Sequence, residues 1–119
     1  ATTYTKITFQ SKEFDTASCF DNTTNYRFTP NVAGYYYING VIGASAGSLF
    51  PVIYKNGSTA KYGPVTSYVA GVGGTTEIAA LMYLNGTDYV ELYIYLTSST
   101  ALYTGASQTY FQGFLARAA

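Results

Sequence analysis

Residues 28–37 read F-T-P-N-V-A-G-Y-Y-Y, and this stretch decides the fold class. Pro30 lacks a backbone N–H and therefore ends the strand that precedes it. Gly34 has no side chain and lets the backbone turn into a new strand, which the following tyrosines favour as good strand formers. The stretch predicts a strand end, a tight connection and the start of a long strand.

The same alternation of strand-forming runs and turn-forming residues recurs along the whole chain. Runs of β-branched and aromatic residues, bounded by Gly, Asn, Ser and Pro, return about every ten residues, which is typical of a sandwich or barrel. Helical periodicity is nearly absent. The predicted strands are 4–9, 26–28, 34–44, 49–54, 65–69, 76–84, 89–97 and 109–116, with a short extra strand between 14 and 20.

Two Asn-Gly dipeptides predict hairpin turns. Asn56-Gly57 and Asn85-Gly86 can adopt positive φ at low cost, as type I′ turns require. Gly71, Gly73 and Gly74 predict a flexible loop.

Alternation along residues 88–97 predicts one buried and one exposed face. The buried set is aliphatic: Val90, Leu92, Ile94 and Leu96. The other set is aromatic but carries a charge, so we expect a surface partly covered by a neighbouring subunit or a ligand: Tyr89, Glu91, Tyr93 and Tyr95. The last predicted strand is aromatic on both faces, which indicates a central strand or a subunit contact.

Composition excludes several functions. At 119 residues the chain is the size of one domain, predicted to span 1–119. Six basic and six acidic residues give a formal net charge of zero, without the basic stripe that binds nucleic acid. No apolar run approaches the roughly 18 residues that membrane insertion needs.

Low charge and abundant tyrosine predict obligate assembly. Charged residues make up 10% of the chain, against about 25% in typical domains. Fourteen tyrosines and seven phenylalanines are too much aromatic surface to leave exposed, since it would invite nonspecific association.

Candidate chemistry is sparse. The chain has no histidine, which removes the usual general base and metal ligand. Cys19, the lone cysteine, lies beside Phe20 and is interpreted as an inert thiol. The carboxylates form no paired motif, and Asp88 is interpreted as a turn cap. We expect no catalytic, cofactor-binding or metal-binding residue and no enzymatic activity.

Six short motifs follow one another in order: I-T-F at 7–9, F-D at 20–21, F-T-P-N-V-A-G-Y at 28–35, K-N-G at 55–57, L-N-G-T-D-Y-V at 84–90 and F-Q-G-F-L at 111–115. A further F-D pair stands at 14–15. The series resembles the globular head of complement component one subunit q, within the tumour necrosis factor-like jelly-roll superfamily. The sequence departs from the family pattern in two places. One residue is inserted before Asp88, and Val32-Ala33 stands in place of Pro-Gly.

The resemblance implies a jelly-roll β-sandwich of about ten antiparallel strands in two sheets, assembled as a threefold homotrimer that binds rather than catalyses. In agreement with it, we expect Phe111 and Leu115 to close the core with the last strand. Calcium near the trimer axis is left open, with no residue identified for it. The predicted trimer interface comprises aromatic residues, namely Tyr35, Tyr37, Tyr83, Tyr110 and Phe114. Partner contacts are predicted at tyrosines in loop-like regions, namely Tyr62, Tyr68 and Tyr103.

Three functional hypotheses remain open. The first is a virion surface protein that decorates a bacteriophage capsid, because the Tyr-, Asn- and Ser-rich style resembles phage versions of the head and the chain begins at its first strand. The second is the recognition head of a phage tail fibre or a bacterial surface filament, located on the virion or otherwise extracellular, which binds a host glycan or protein. The third, ranked last, is an enzyme on a jelly-roll scaffold.

Overall fold

The computed structural model describes residues 3–69, 73–96, 102, 105 and 108–119. In this part of the chain every regular element is a strand, and no helix could cross a membrane. The strands are β1 (Thr3–Lys6), β2 (Phe20–Asp21), β3 (Arg27–Phe28), β4 (Gly34–Ala44), β5 (Gly47–Lys55), β6 (Ser58–Tyr62), β7 (Thr66–Tyr68), β8 (Gly74–Leu84), β9 (Val90–Leu96) and β10 (Tyr110–Ala118).

The strands form two antiparallel sheets, which confirms the predicted all-β sandwich. The seven-stranded sheet has the order β2-β3-β9-β5-β6, with β1 also paired to β9 and β7 to β5. The three-stranded sheet has the order β10-β4-β8. Its strand β4 has the predicted bounds, and it pairs with β8 without a register break from Gly34 opposite Leu84 to Ala44 opposite Gly74.

The core lies between the two sheets. Ile38 and Ile42 from β4 face Leu49, Ile53 and other aliphatic residues of the seven-stranded sheet. The predicted alternation of β9 is confirmed, since Val90, Leu92 and Ile94 are at most 1% exposed and Leu96 packs against the cluster.

The short elements differ from the prediction. Strand β6 was missed because all five of its residues are exposed and give no alternating pattern. The extra strand lies at Phe20–Asp21 rather than ahead of it, and β1 ends at Lys6 rather than Phe9. The predicted loop at the glycines is shorter, because Gly74 already belongs to β8; Gly71 lies outside the described residues.

The two Asn-Gly turns have different backbone conformations. Asn56 has φ 52° and Gly57 has φ 84°, so the left-handed backbone predicted there is confirmed. The prediction for Asn85-Gly86 was wrong, since neither residue has positive φ. Side chains hold that turn instead: Asn85 Oδ1 accepts hydrogen bonds from the N–H groups of Thr87 and Asp88, and Asp88 Oδ2 accepts one from the Asn85 N–H.

The two turns give a matched test. We expect Gly57→Ala to lower the free energy of unfolding by about 1 kcal/mol, because a Cβ is strained in the left-handed region. Gly86→Ala should be neutral or slightly stabilising, because its backbone is ordinary and its nearest contact would be the Asn31 carbonyl oxygen at 3.7 Å. Urea unfolding of both variants measures the difference, and equal losses would contradict this account.

Candidate functional site

All five predicted trimer-interface residues lie on one face of the three-stranded sheet. Residues directly opposite each other in a sheet share a face. Tyr35 is opposite Tyr83, while Phe114 and Leu81 flank Tyr37 from either side. Tyr110 is opposite Val41, which lies four residues after Tyr37 in β4 and therefore on the same face. We call this surface, which points away from the core, the seam face. Its role as a subunit interface stays a prediction.

The part of the seam face around Tyr35 and Tyr37 is apolar and aromatic in the single chain. Tyr35, Tyr37, Tyr83, Leu81 and Phe114 are between 37% and 62% exposed. Two ring contacts cross it, Tyr35 with Tyr83 and Tyr37 with Phe114, both with centroids 5.5 Å apart. Tyr110 is half-buried. Adjacent exposed rings of this kind form a continuous patch rather than scattered apolar residues.

A polar row crosses all three strands next to that patch. Gln112 Nε2 donates to Asn39 Oδ1 at 2.7 Å, and Asn39 Nδ2 donates to Glu77 Oε2 at 2.8 Å. Asn39 is only 2% exposed and also donates to the Ile78 carbonyl. The Asn39 amide is therefore satisfied within the chain, and it ties β4 to both neighbouring strands.

A second aromatic surface covers the opposite side of the sandwich. Rows of rings project from β1, β9, β5 and β6 on the face of the seven-stranded sheet that points away from the core. We call it the outer aromatic face; it comprises Tyr4, Phe50, Tyr54, Tyr62, Tyr93 and Tyr95. Tyr93 and Tyr95 were predicted to share a face with Glu91, and the structure places them so.

Sequence reasoning did not single out Tyr4, Phe50 or Tyr54. The alternation that reveals two of them is present, because Leu49, Pro51 and Ile53 are buried while Phe50 and Tyr54 are not. Their grouping with Tyr4 depends on the pairing of β1 and β5 with β9, which no local pattern discloses.

The three predicted partner-contact tyrosines are in different environments. Tyr62 is 59% exposed at the edge of the outer aromatic face, with its ring 6.0 Å from that of Phe50. Tyr68 is half-buried in β7 and its ring packs against the core, so it offers a partner little surface. Tyr103 lies outside the described residues.

A buried carboxylate borders the outer aromatic face. Glu91 is 3% exposed and its Oε2 lies 2.7 Å from Lys6 Nζ and 3.3 Å from Arg27 Nη2. The Arg27 guanidinium also lies 3.8 Å from the centroid of the Tyr89 ring. Because two cations satisfy it, Glu91 acts as a structural ion rather than a free acid or base.

Three other carboxylates hold turns. Asp15 accepts the N–H groups of Cys19 and Phe20, each at 2.9 Å. Burial raises the pKa of Asp15, but these hydrogen bonds and Lys12 outweigh it and lower the pKa overall. Hydrogen bonds from the Asn85 N–H and the Asn56 side chain lower the pKa of Asp88, which supports its interpretation as a turn cap.

Asp21 makes stability depend on pH. Its carboxylate accepts the N–H groups of Thr24, Thr23 and Asn25, which hold the pKa well below the ordinary 3.8. A lowered folded pKa contributes stability above the unfolded pKa and loses it as the pH falls through the folded pKa. We expect Asp21→Asn to lower Tm most at neutral pH, and the gap from the wild type to begin narrowing below about pH 4 and to shrink further as the pH falls.

Melting curves from pH 2 to 8 measure that gap, with the exposed Glu13→Gln as control. A gap that stays constant down to pH 2 would contradict this role for Asp21.

The described residues bring no cluster of metal-binding side chains together. No three His, Cys, Asp or Glu side chains among them could hold a metal ion. Cys19 is half-buried, and its Sγ lies 3.7 Å from the Ala17 carbonyl oxygen. Calcium, which the resemblance left open, finds no cluster of acidic ligands in this part of the chain.

A cavity of about 1210 Å³ opens at one edge, between residues 5–20 and the inward side of β10. Phe111 packs against the core, with its ring stacked 5.9 Å from Phe9, as expected. The core-closing role expected for Leu115 was wrong: it is 42% exposed, lines this cavity and lies at a β-bulge before Arg117.

Solved structures of the same architecture define the class of fold. The crystal structure of murine APRIL at pH 5.0 superposes with a TM-score of 0.60 at 15% identity, covering 73% of this chain and 69% of that one. The structure of Eiger TNF from S. frugiperda has a TM-score of 0.54 at 13% identity, with 79% and 64% covered. The chain therefore has a tumour necrosis factor-like jelly-roll fold. No protein-family model and no curated protein matches it.

Proposed function

We propose that this chain is a non-enzymatic binding head that assembles as a homotrimer through its seam face. The observation that carries the proposal is the continuous patch of exposed rings across β10, β4 and β8. A patch of this kind on a small, weakly charged domain marks a protein contact. Within the described part of the chain the rings on the outer face of the three-stranded sheet are left exposed, and a neighbouring copy would cover them.

The assembly is expected to sit on a virion as a capsid decoration protein. A trimer suits the local threefold positions of an icosahedral shell, and apolar contacts with few charges suit permanent attachment. The resemblance of the sequence style to phage heads supports this location. Gold-labelled antibody raised against the chain should mark the shells of particles whose genome encodes it; label confined to the tail, or no label, would contradict the proposal.

A recognition head of a tail fibre or surface filament is the second candidate. The outer aromatic face favours it, because this face lies on the other side of the sandwich from the seam face and stays accessible after trimerisation. Binding of the purified chain to intact host cells separates the two candidates. A decoration protein binds shells and not cells, whereas a recognition head binds cells in a saturable manner.

A further inference from the structure

The outer aromatic face is an ordered array of rings. Tyr54 and Tyr93 stack with centroids 3.7 Å apart and planes 16° apart. Phe50 and Tyr95 stack beside them at 4.8 Å and 17°. Each stack joins one ring of β5 to one ring of β9, and the two stacks together form a regular apolar surface.

Two further tyrosines lie at the edges of these two stacks. Tyr4 meets Tyr95, Tyr54 and Phe50 edge-on, at 4.7, 6.2 and 6.4 Å. Tyr62 meets Phe50 edge-on at 6.0 Å, and its hydroxyl is hydrogen-bonded to that of Tyr4. Tyr4 is 40% and Tyr62 59% exposed, so these two rings are the ones that a ligand meets first.

The array is rigid before any ligand arrives. Val52 lies on the same face, opposite Tyr93 and Tyr62, and is 0% exposed because the rings cover it. The rings therefore act as a small core on the outside of the sheet. A ligand would not have to order these side chains, which removes an entropic cost of binding.

The chemistry of the face is apolar with uncharged hydroxyls. Desolvation and then neighbouring tyrosines raise the pKa of Tyr4 and of Tyr54, so both hydroxyls stay protonated near neutral pH. The charges at its border, Lys6, Arg27 and Glu91, are engaged with one another. The matching ligand has apolar C–H faces and many hydroxyl groups, which is the chemistry of a sugar ring.

The dimensions of this face suit a small ligand. Four strands at the usual spacing span about 14 Å, and Phe50 to Tyr54 spans about 14 Å along the strand. The resulting flat area is roughly 200 Å². It suits two or three linked sugar rings.

We propose that the outer aromatic face is a carbohydrate-binding site, on which Tyr62 and Tyr4 stack against an oligosaccharide. The inference rests on the proposed binding function for its setting, but the site lies within one chain and needs no neighbour. In a trimer, three copies would face outward and bind a multivalent surface with increased avidity.

The test uses the full chain on an array of immobilised oligosaccharides from animal and bacterial surfaces, followed by NMR titration with the best soluble ligand. We expect saturable binding that perturbs tyrosine ring signals. Tyr62→Ala should weaken the affinity by about tenfold, as the loss of one stacked ring implies, while Tyr62→Phe keeps it within about threefold. Phe14→Ala, which removes an exposed ring elsewhere, should change nothing.

The outcomes are separable from those of the trimer proposal. Native mass is measured on the same samples, and it should give the same number of chains per assembly for the wild type and Tyr62→Ala. A monomer that still binds sugar would overturn the trimer and leave this site standing. Absence of saturable binding on the whole array, or binding that survives both Tyr62→Ala and Tyr4→Ala, would overturn the site.

Discussion

Phe114→Asp is expected to convert the assembly from a trimer to a monomer. Phe114 is 59% exposed in the single chain and contacts Tyr37 in the middle of the seam face. A trimer would bury three carboxylates among aromatic side chains there, and each would cost several kcal/mol. The fold of each chain should survive, because the side chain contributes nothing to the core between the sheets. Native mass spectrometry and melting curves measure both effects.

The matched control is Tyr62→Asp on the opposite side of the sandwich. Tyr62 is also an aromatic residue and is also 59% exposed. Since it lies on the outer aromatic face, its replacement should leave the native mass unchanged. If Phe114→Asp kept both the assembly and its melting temperature, the seam face would be misplaced.

The second large effect is expected in the core, where Gly40 of β4 meets Leu92 of β9. A Cβ at Gly40 would lie 2.7 Å from Leu92 Cδ2 and 2.8 Å from its Cδ1. Leu92→Ala should lower the free energy of unfolding by about 3 kcal/mol, through lost burial and the cavity left behind. Gly40→Ala should cost about 1–3 kcal/mol, because a buried leucine must move aside.

The double variant separates this contact from a general loss of stability. In Gly40→Ala/Leu92→Ala the new methyl group occupies part of the space that the leucine vacates. We expect the pair to be less destabilised than Leu92→Ala alone, whereas unrelated sites would add. Urea unfolding at one fixed protomer concentration measures all three, because dissociation also contributes to apparent stability. Simple addition of the two losses would contradict the packing described.

Long strands were predictable because their patterns are strong and local. In β4 a glycine follows Pro30 and a run of strand formers follows the glycine, so its bounds were predicted residue for residue. In β9 the strict alternation of aliphatic and aromatic residues identified the core face correctly. A buried face imposes its period on the sequence, and such a period can be recognised without a structure.

The remaining features depend on contacts that the local sequence does not encode. Strand β6 exists because the Asn56-Gly57 turn folds it back on β5, and its exposed residues carry no pattern. Asn85-Gly86 resembles the first turn in sequence, but Asp88 and the Asn85 side chain satisfy its backbone without positive φ. Local composition therefore predicted two equal turns where side-chain hydrogen bonds made them different.

The candidate surfaces likewise combine features that local patterns predict with features that depend on contacts between distant strands. Low charge and many tyrosines predicted surface area in need of a partner, and the structure of β4 places Tyr35 and Tyr37 together on one face. The convergence of Tyr4, Phe50 and Tyr62 arises from strands far apart in the chain. It required the order of the sheet, which sequence periodicity cannot supply.

The most direct test of the central claim is the native mass of the purified chain across a dilution series. Assembly through the seam face predicts a mass of three chains, or about 38 kDa from the 12.8 kDa monomer, that persists to nanomolar concentration. A mass of one chain at every concentration would contradict the homotrimer, and with it the function assigned to the exposed rings of β10, β4 and β8.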